Sequence, residues 1–438
     1  MYGIMPTDPD STVRSDLAWS GLGSVLTLVA TVGMTMVLTR GHSPAVVAAV
    51  SSAAGLVMIL APLVTLGLPA AVVPLVARSP ADRRGPMARR VLRLTVALAG
   101  GAGVVAAGVV LVAVDGGRRG VFLAMLCSLP AVALAAVTEG AARSVGRFGV
   151  AFWLLDWSRR LLLIGALAAS AVATVSVAGW LAVAVAAHTV LVAALVILLT
   201  RRVLRSAEVH HTVPSREVLR VSAHFVPMAM FGQIVPQAGV LIVDAMAGDV
   251  EVGKVAVGIR AYAAVSVLFV VATRVVAPRV AGAGSMASLG PWLRRMSARL
   301  TLVSAVLTGV IVAGGPWLTG GLFGGQYRGA WLPAALFALS VVVQAGTGFG
   351  GMVLAQRGGQ RLMAGVSLLS VAAFVLAAVP AARAGGATGV AIVGVVVMLV
   401  RGVVTTVVAQ RRERVLLWPG LPWRAPAEQV DGHHQQQG

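Results

Sequence analysis

The sequence predicts an all-α polytopic membrane protein of about twelve transmembrane helices in two six-helix lobes. Three observations carry this. First, 58% of the 438 residues are hydrophobic and only 11% are charged, against roughly 45–50% and 25% in soluble domains. Second, the mean hydropathy is +0.91. Third, charge-free stretches recur along the whole chain at about the 20-residue length that crosses a bilayer. Together they exclude a soluble enzyme, a disordered chain and a disulfide scaffold, and they leave no block long enough for a separate soluble domain.

Taken in order, the amino terminus (1–16) carries Asp8, Asp10 and Asp16 and a single Arg. It lacks the basic segment of a secretory signal, so the first helix is expected to be retained as a span. The expected spans are Leu17–Thr39, Ser43–Ala77, Leu94–Val114, Gly120–Thr138, Phe148–Val172 and Val177–Thr200, which form an amino-terminal lobe over 17–200. A basic cytoplasmic linker follows at 201–220. Val221–Val243, Val255–Pro278, Leu300–Trp317, Gly329–Ala355, Leu362–Ala382 and Ala387–Gln410 make the second lobe over 221–410. The tail, 411–438, is read as cytoplasmic and disordered. Six spans on each side of a central linker suggest two similar lobes, as in transporters built from parallel repeats.

The net charge of +20 invites a nucleic-acid reading until the residues are placed. With the amino terminus in the cytoplasm, 24 of the basic residues fall in cytoplasmic gaps and tails, 6 on the opposite side and 5 inside spans. This is the positive-inside pattern of a polytopic protein and not a basic groove, so no nucleic-acid partner is expected. Cys127 is the single cysteine, which excludes a disulfide and a thiolate metal site. No metal site and no cofactor are expected. The outward loops are too short to present catalytic carboxylates, so a membrane glycosyltransferase or polymerase is disfavoured and the protein is not expected to be an enzyme.

The five intramembrane cations are Arg159, Arg160, Arg260, Arg274 and Arg401. Charge in hydrocarbon is costly, so such residues face a bundle interior or a wet cavity. Asp156 and Arg160 are four residues apart on one helix face and are expected to pair. Asp244 and Glu251 could reach Arg260 only across a helix turn. Arg274 and Arg401 are equally compatible with snorkelling to the cytoplasmic boundary. An excess of interior guanidinium points to an anionic substrate, because the guanidinium fork matches phosphate. A cation-coupled exporter would instead need buried carboxylates. Gln233 and Gln237, four residues apart on the seventh span, together with Gln344 and His224, are candidates for hydrogen bonds to sugar, or for glue between helices. The glycine-rich pieces Leu98–Gly108 and Gly346–Gly351 lack the lysine and the strand of a phosphate loop and are expected to serve close helix packing.

Several stretches in order are similar to those of the polysaccharide-biosynthesis flippases, the O-antigen-type lipid-linked oligosaccharide flippases. They are LTRGHSPAVVAAVSSAAGLVMILAPLVTLGLPAAVVPLVAR at Leu38–Arg78, TEGAARSVGRFGVAFWLLD at Thr138–Asp156, and Pro227 and Asp244 followed by EVGKVAVGIRAY at Glu251–Tyr262. LFGGQYRGA at Leu322–Ala330 and GGATGVAI at Gly385–Ile392 complete the set. That family belongs to the MATE-like multidrug/oligosaccharidyl-lipid/polysaccharide exporter superfamily. The resemblance implies two six-helix lobes around a central cavity, alternating access, and a polyprenyl-pyrophosphate-linked oligosaccharide as cargo. It places Arg260 on the family's basic position. Two departures from the related lipid II flippases, twelve spans in place of fourteen and a first helix without an interior charge, count against a peptidoglycan precursor. On this reading Arg260, Arg274, Arg159, Arg160 and Arg401 meet pyrophosphate. Gln233, Gln237, Gln344 and His224 meet sugar, and Asp156 and Asp244 are charge partners. The partners implied are the lipid-linked oligosaccharide, membrane lipid and a polysaccharide polymerase, at the cytoplasmic membrane. The alternative is a cation-coupled drug or metabolite exporter on the same fold.

Overall fold

The computed structural model describes residues 9–77, 84–114, 116–144, 148–173, 176–202, 215–282 and 285–418. The expected tail beyond residue 418 and the middle of the expected linker, 203–214, lie outside the described residues.

The described chain is helical throughout. In the amino-terminal half, α1 (Pro9–Gly41) is followed by α2 (Pro44–Val64), long and apolar enough to be a span by itself, and, after a turn at Leu66 and Gly67, by the separate short helix α3 (Leu68–Ala77), where one span over Ser43–Ala77 was expected. Then come α4 (Arg84–Ala113), α5 (Gly116–Leu126) with α6 (Leu129–Ser144), α7 (Phe148–Val172) and α8 (Val177–Arg202). In the second half, α9 (Ser215–Ala223) leads into α10 (Val226–Met246), then α11 (Asp249–Gly282) and α12 (Gly290–Phe323). A short 3-10 turn (Gly325–Ala330) precedes α13 (Trp331–Gly346) and α14 (Gly350–Gln356), and α15 runs Gln360–Glu413. Among the described residues nine helical stretches are long and apolar enough to cross a membrane, and a shorter apolar piece, Val25–Gly41, lies in α1.

The 54 residues of α15 would extend about 80 Å if straight. They do not. Gly385 and Gly386 leave helical geometry, and both Phe374 and Val390 pack beside Gly239 of α10. Sixteen residues apart in sequence, they meet one glycine because α15 is a hairpin of two spans. At its bend Gly386 has φ +53 and lies against the Glu251 side chain. Glu251 also accepts the Ala387 backbone N–H at 2.9 Å, satisfying one of the free donors that begin the returning helix.

Helix contacts define the two halves and their seam. α1 packs on α7 within its own half and on α11 across the seam; α2 packs on α10 and α11. One core joins Leu126, Leu129 and Leu167 of the first half to Val257 and Tyr327 of the second. Another places Ala48 of α2 among Phe231, Val240, Phe337 and Phe374. Membrane helices associate without a hydrophobic driving force, so close fit matters. Gly350 supplies it for α14, since a Cβ there would strike the Thr406 backbone. The expectation of close packing therefore fits the Gly346–Gly351 piece. It fails for most of Leu98–Gly108: Gly103 lies against Pro130, but Gly100, Gly101 and Gly108 face open space. In α4 they occupy the outward face, where packing places no demand on them.

The end of the expected linker is ordered. α9 docks Val218 among Leu68, Val72, Met87 and Val91 of the first half, and Arg90 donates to the Ser215 hydroxyl at 2.8 and 3.1 Å.

Candidate functional site

The site begins with α1. Threonine recurs at 27, 31, 35 and 39, every fourth residue, which puts all four on one stripe of the helix. Thr31, Thr35 and Thr39 are buried. Each donates its hydroxyl proton to the carbonyl four residues earlier, at 2.7, 3.0 and 2.8 Å. With the proton committed, each oxygen is left as an acceptor.

Two arginines use these oxygens. Arg260, on α11, donates Nε to Thr35 Oγ1 at 2.7 Å. Arg160, on α7, donates Nη1 to Thr31 Oγ1. One comes from each half, so α1 joins both across the seam. Their guanidinium groups, with that of Arg159, line a single cavity.

The cavity lies between the halves. Its walls are Met34 of α1, Ser51, Ala54 and Met58 of α2, Met125 of α5, Leu163 and Leu167 of α7, Leu181 of α8, Gln237 and Val240 of α10, and Ile259 beside Arg260 on α11. None of the described lining residues is a carboxylate. Its volume is about 80 Å³, enough for a few waters and well below the roughly 300–1,000 Å³ of a small-molecule pocket. Guanidinium stays protonated in proteins, so three of them in one small, largely apolar space repel one another. Thr31 and Thr35 orient two of the three without cancelling their charge.

The sequence-predicted residues separate into those at this cavity and those elsewhere. Arg159, Arg160, Arg260 and Gln237 converge on it. Gln233 is not among its lining residues, although it is four residues from Gln237 on the same unbroken helix. Gln344 is on α13, its carbonyl accepting from Thr347 at 3.1 Å, and it too is absent from the cavity wall. His224 sits at the far end of the bundle, its Nδ1 2.9 Å from the Arg220 carbonyl. Arg401 lies inside the second half. Its guanidinium stacks 3.8 Å over the Phe231 ring, and its Nε is buried without a hydrogen-bond partner. Asp156 is on α7 and Arg274 on α11, but their side chains lie outside the described residues.

The pairing expected of Asp244 is different in the structure. Asp244 ends α10, whereas Arg260 lies eleven residues into α11, about 16 Å along the helix from its start. Asp244 binds Arg118 of α5 instead, at 2.8 Å, and the same guanidinium holds Asp249 at 2.5 Å. Arg118 therefore ties the first half to the ends of two helices of the second. At the same end of the bundle, Arg40 of α1 donates to the carbonyls of Gly321 and Leu322 on α12. Sequence reasoning missed both the threonine stripe and this tie. The stripe was visible as a four-residue period of threonine in an apolar helix; the tie joins residues more than a hundred positions apart and left no local signal.

No protein-family model matches the chain, and no curated protein matches it. Solved structures do. A MATE protein in its bent conformation superposes with a TM-score of 0.69 at 14% identity, over 93% of this chain and 96% of that one. The Vibrio cholerae MATE transporter VcmN gives 0.67 at 15% identity, over 92% and 98%. The lipid II flippase MurJ in an inward closed conformation gives 0.65 at 9% identity, over 90% and 87%. At these identities the likeness concerns the fold alone: the chain shares the all-helical polytopic fold of these MATE and MurJ structures.

Proposed function

We propose that the protein is a membrane flippase that carries a polyprenyl-pyrophosphate-linked oligosaccharide across the cell membrane by alternating access. The observation that carries this reading is the convergence of Arg159, Arg160 and Arg260 on one cavity between the halves, with no carboxylate among the described residues of its wall. Three fixed cations in a low-dielectric space replace the water that a diphosphate loses on leaving the interface, and each fork offers two parallel hydrogen bonds. Gln237 offers an amide to the first sugar. The prenyl chain stays in lipid while the halves part around the headgroup, as the small volume of the cavity requires. MurJ, a lipid II flippase of the same fold, makes a lipid-linked cargo compatible with the architecture. A cation-coupled exporter would need a carboxylate where this wall presents guanidinium. In this reading both termini are cytoplasmic and the delivered cargo passes to a polysaccharide polymerase.

The test is translocation of a fluorescent polyprenyl-pyrophosphate-linked saccharide in proteoliposomes. Arg260→Ala is expected to lower the rate at least about tenfold with protein level unchanged. Arg260→Lys is expected to keep part of it, since an ammonium lacks the fork. Wild-type translocation by Arg260→Ala would end the proposal.

A further inference from the structure

One face of α12 changes its chemistry along its length. Arg295 and Arg299 are exposed and four residues apart. Leu302, Val303, Val306 and Val310 continue the same face, and they are 41 to 59% exposed. From Arg299 to Val310 is about 16 Å along the helix, close to the ~15 Å depth of one leaflet of a ~30 Å hydrocarbon core. Charge at the end of the span, followed by bare apolar surface down to the mid-plane, is the order of headgroup and chain in a phospholipid.

The end of α15 adds to the charge. Arg414, with φ 54, turns the chain back after the helix. Val415 then fills the space beside Gly290, where a Cβ would strike it. Leu417 is buried among Leu293, Phe349 and Val353, and Arg294 donates Nε to the Trp418 carbonyl at 3.1 Å. These contacts pin the exposed Arg414 beside the first turn of α12. Trp292, 5.2 Å from the Arg279 guanidinium, and Trp418 mark this end as the level of the bilayer interface, where tryptophan concentrates. Glu413 is the only acidic residue in 272–302 and 387–418, and Arg357 and Arg412 hold it, at 2.7 and 4.0 Å.

We infer that Arg295, Arg299 and Arg414 form a headgroup site for an anionic phospholipid, whose acyl chains lie along the apolar part of the same α12 face. The guanidinium forks match the lipid phosphate. A zwitterionic lipid offers the same phosphate but brings its own cation among the arginines, so the site discriminates by net charge. It is separate from the cavity between the halves and holds whatever the cargo is. On the orientation proposed above, the leaflet is the cytoplasmic one.

The experiment titrates the purified full chain in detergent with phosphatidylglycerol or with phosphatidylcholine of the same acyl chains. Thermal stabilisation and lipid retained in native mass spectrometry are both read. Wild type is expected to reach half of its stabilisation at about tenfold less phosphatidylglycerol than phosphatidylcholine. Arg295→Gln and Arg299→Gln together are expected to abolish that preference and to lose the retained phosphatidylglycerol. Each single change, and Arg414→Gln, is expected to weaken the preference about threefold. As a control, Arg216→Gln with Arg220→Gln removes an exposed pair of the same spacing from α9 and is expected to keep the preference. Equal loss in that control would overturn the site in favour of overall charge. Equal stabilisation by inorganic phosphate would overturn a lipid occupant. An equal response of wild type to both lipids, or an unchanged preference in every α12 variant, would overturn the inference.

Discussion

Arg118 and Asp244 meet at 2.8 Å across the seam between the halves, and Asp249 shares the same guanidinium at 2.5 Å. Asp244 is the more enclosed carboxylate, with 15% of its side chain exposed against 35% for Asp249. Neither acid is on the helix that carries Arg118, so the cluster persists only while α5, α10 and α11 stay together at this end. It acts as a latch on one mouth of the seam.

Releasing the latch should open that mouth. In a Cys127→Ser background, Ser51→Cys places a thiol on the cavity wall. Adding Arg118→Ala is expected to raise its labelling by a membrane-impermeant maleimide, applied from the Arg118 side, about fivefold. That corresponds to the ~1 kcal/mol typical of a partly exposed ion pair. Unchanged labelling would show that the contacts of Arg40 and the apolar seam keep the mouth shut by themselves.

Arg401 poses a different question, because its buried Nε has no hydrogen bond and its charge rests on the Phe231 face. An intramembrane cation so placed costs stability. Arg401→Met is therefore expected to raise the melting temperature in detergent by about 2–4 °C and to lower translocation. A gain in stability with full translocation would mark Arg401 as dispensable to the cycle.

The hairpin in α15 depends on Gly386. A side chain there would need φ +53 and would meet the Glu251 carboxylate, which caps Ala387 and pairs with Lys254. Gly386→Ala is expected to cost ~1–3 kcal/mol, read as a lowered melting temperature. Glu251→Gln, which keeps an acceptor for Ala387, should cost less than Glu251→Ala.

Orientation is checked by side-specific labelling. Arg383→Cys lies beside the α15 bend and Arg412→Cys at the opposite end of the returning helix. Placed singly in the Cys127→Ser background, the first should react only from outside the cell and the second only from the cytoplasm. Labelling of both from one side would refute the span count.

The architecture was legible because apolar length and the placement of arginine are chain-local properties that the bilayer reads directly. Arg159, Arg160 and Arg260 stood out for the same reason: a cation in a charge-free stretch needs an interior destination. What surrounds them was less legible. Gln233 and Gln237 share a face on an ideal helix, but only Gln237 lines the cavity. Asp244 was a candidate charge partner for Arg260, yet a helix separates residues by 1.5 Å each, and the acid pairs with Arg118 across the seam instead. Thr31 and Thr35 were overlooked because threonine on an apolar helix bonds its own backbone, and only the docking of α7 and α11 turns those oxygens into acceptors for arginine.

The guanidinium-lined cavity also has an electrical consequence. The cations belong to the protein, so whatever part of the transmembrane field they cross on the outward stroke they cross again on the return. Over a full cycle the charge displaced is that of the cargo alone. For a diphosphate bearing two negative charges, a potential of 100 mV negative inside favours outward passage by about 4.6 kcal/mol. For such a cargo the net electrical drive is set by the cargo's own charge, and the fixed cations of the cavity neither add to it nor subtract from it.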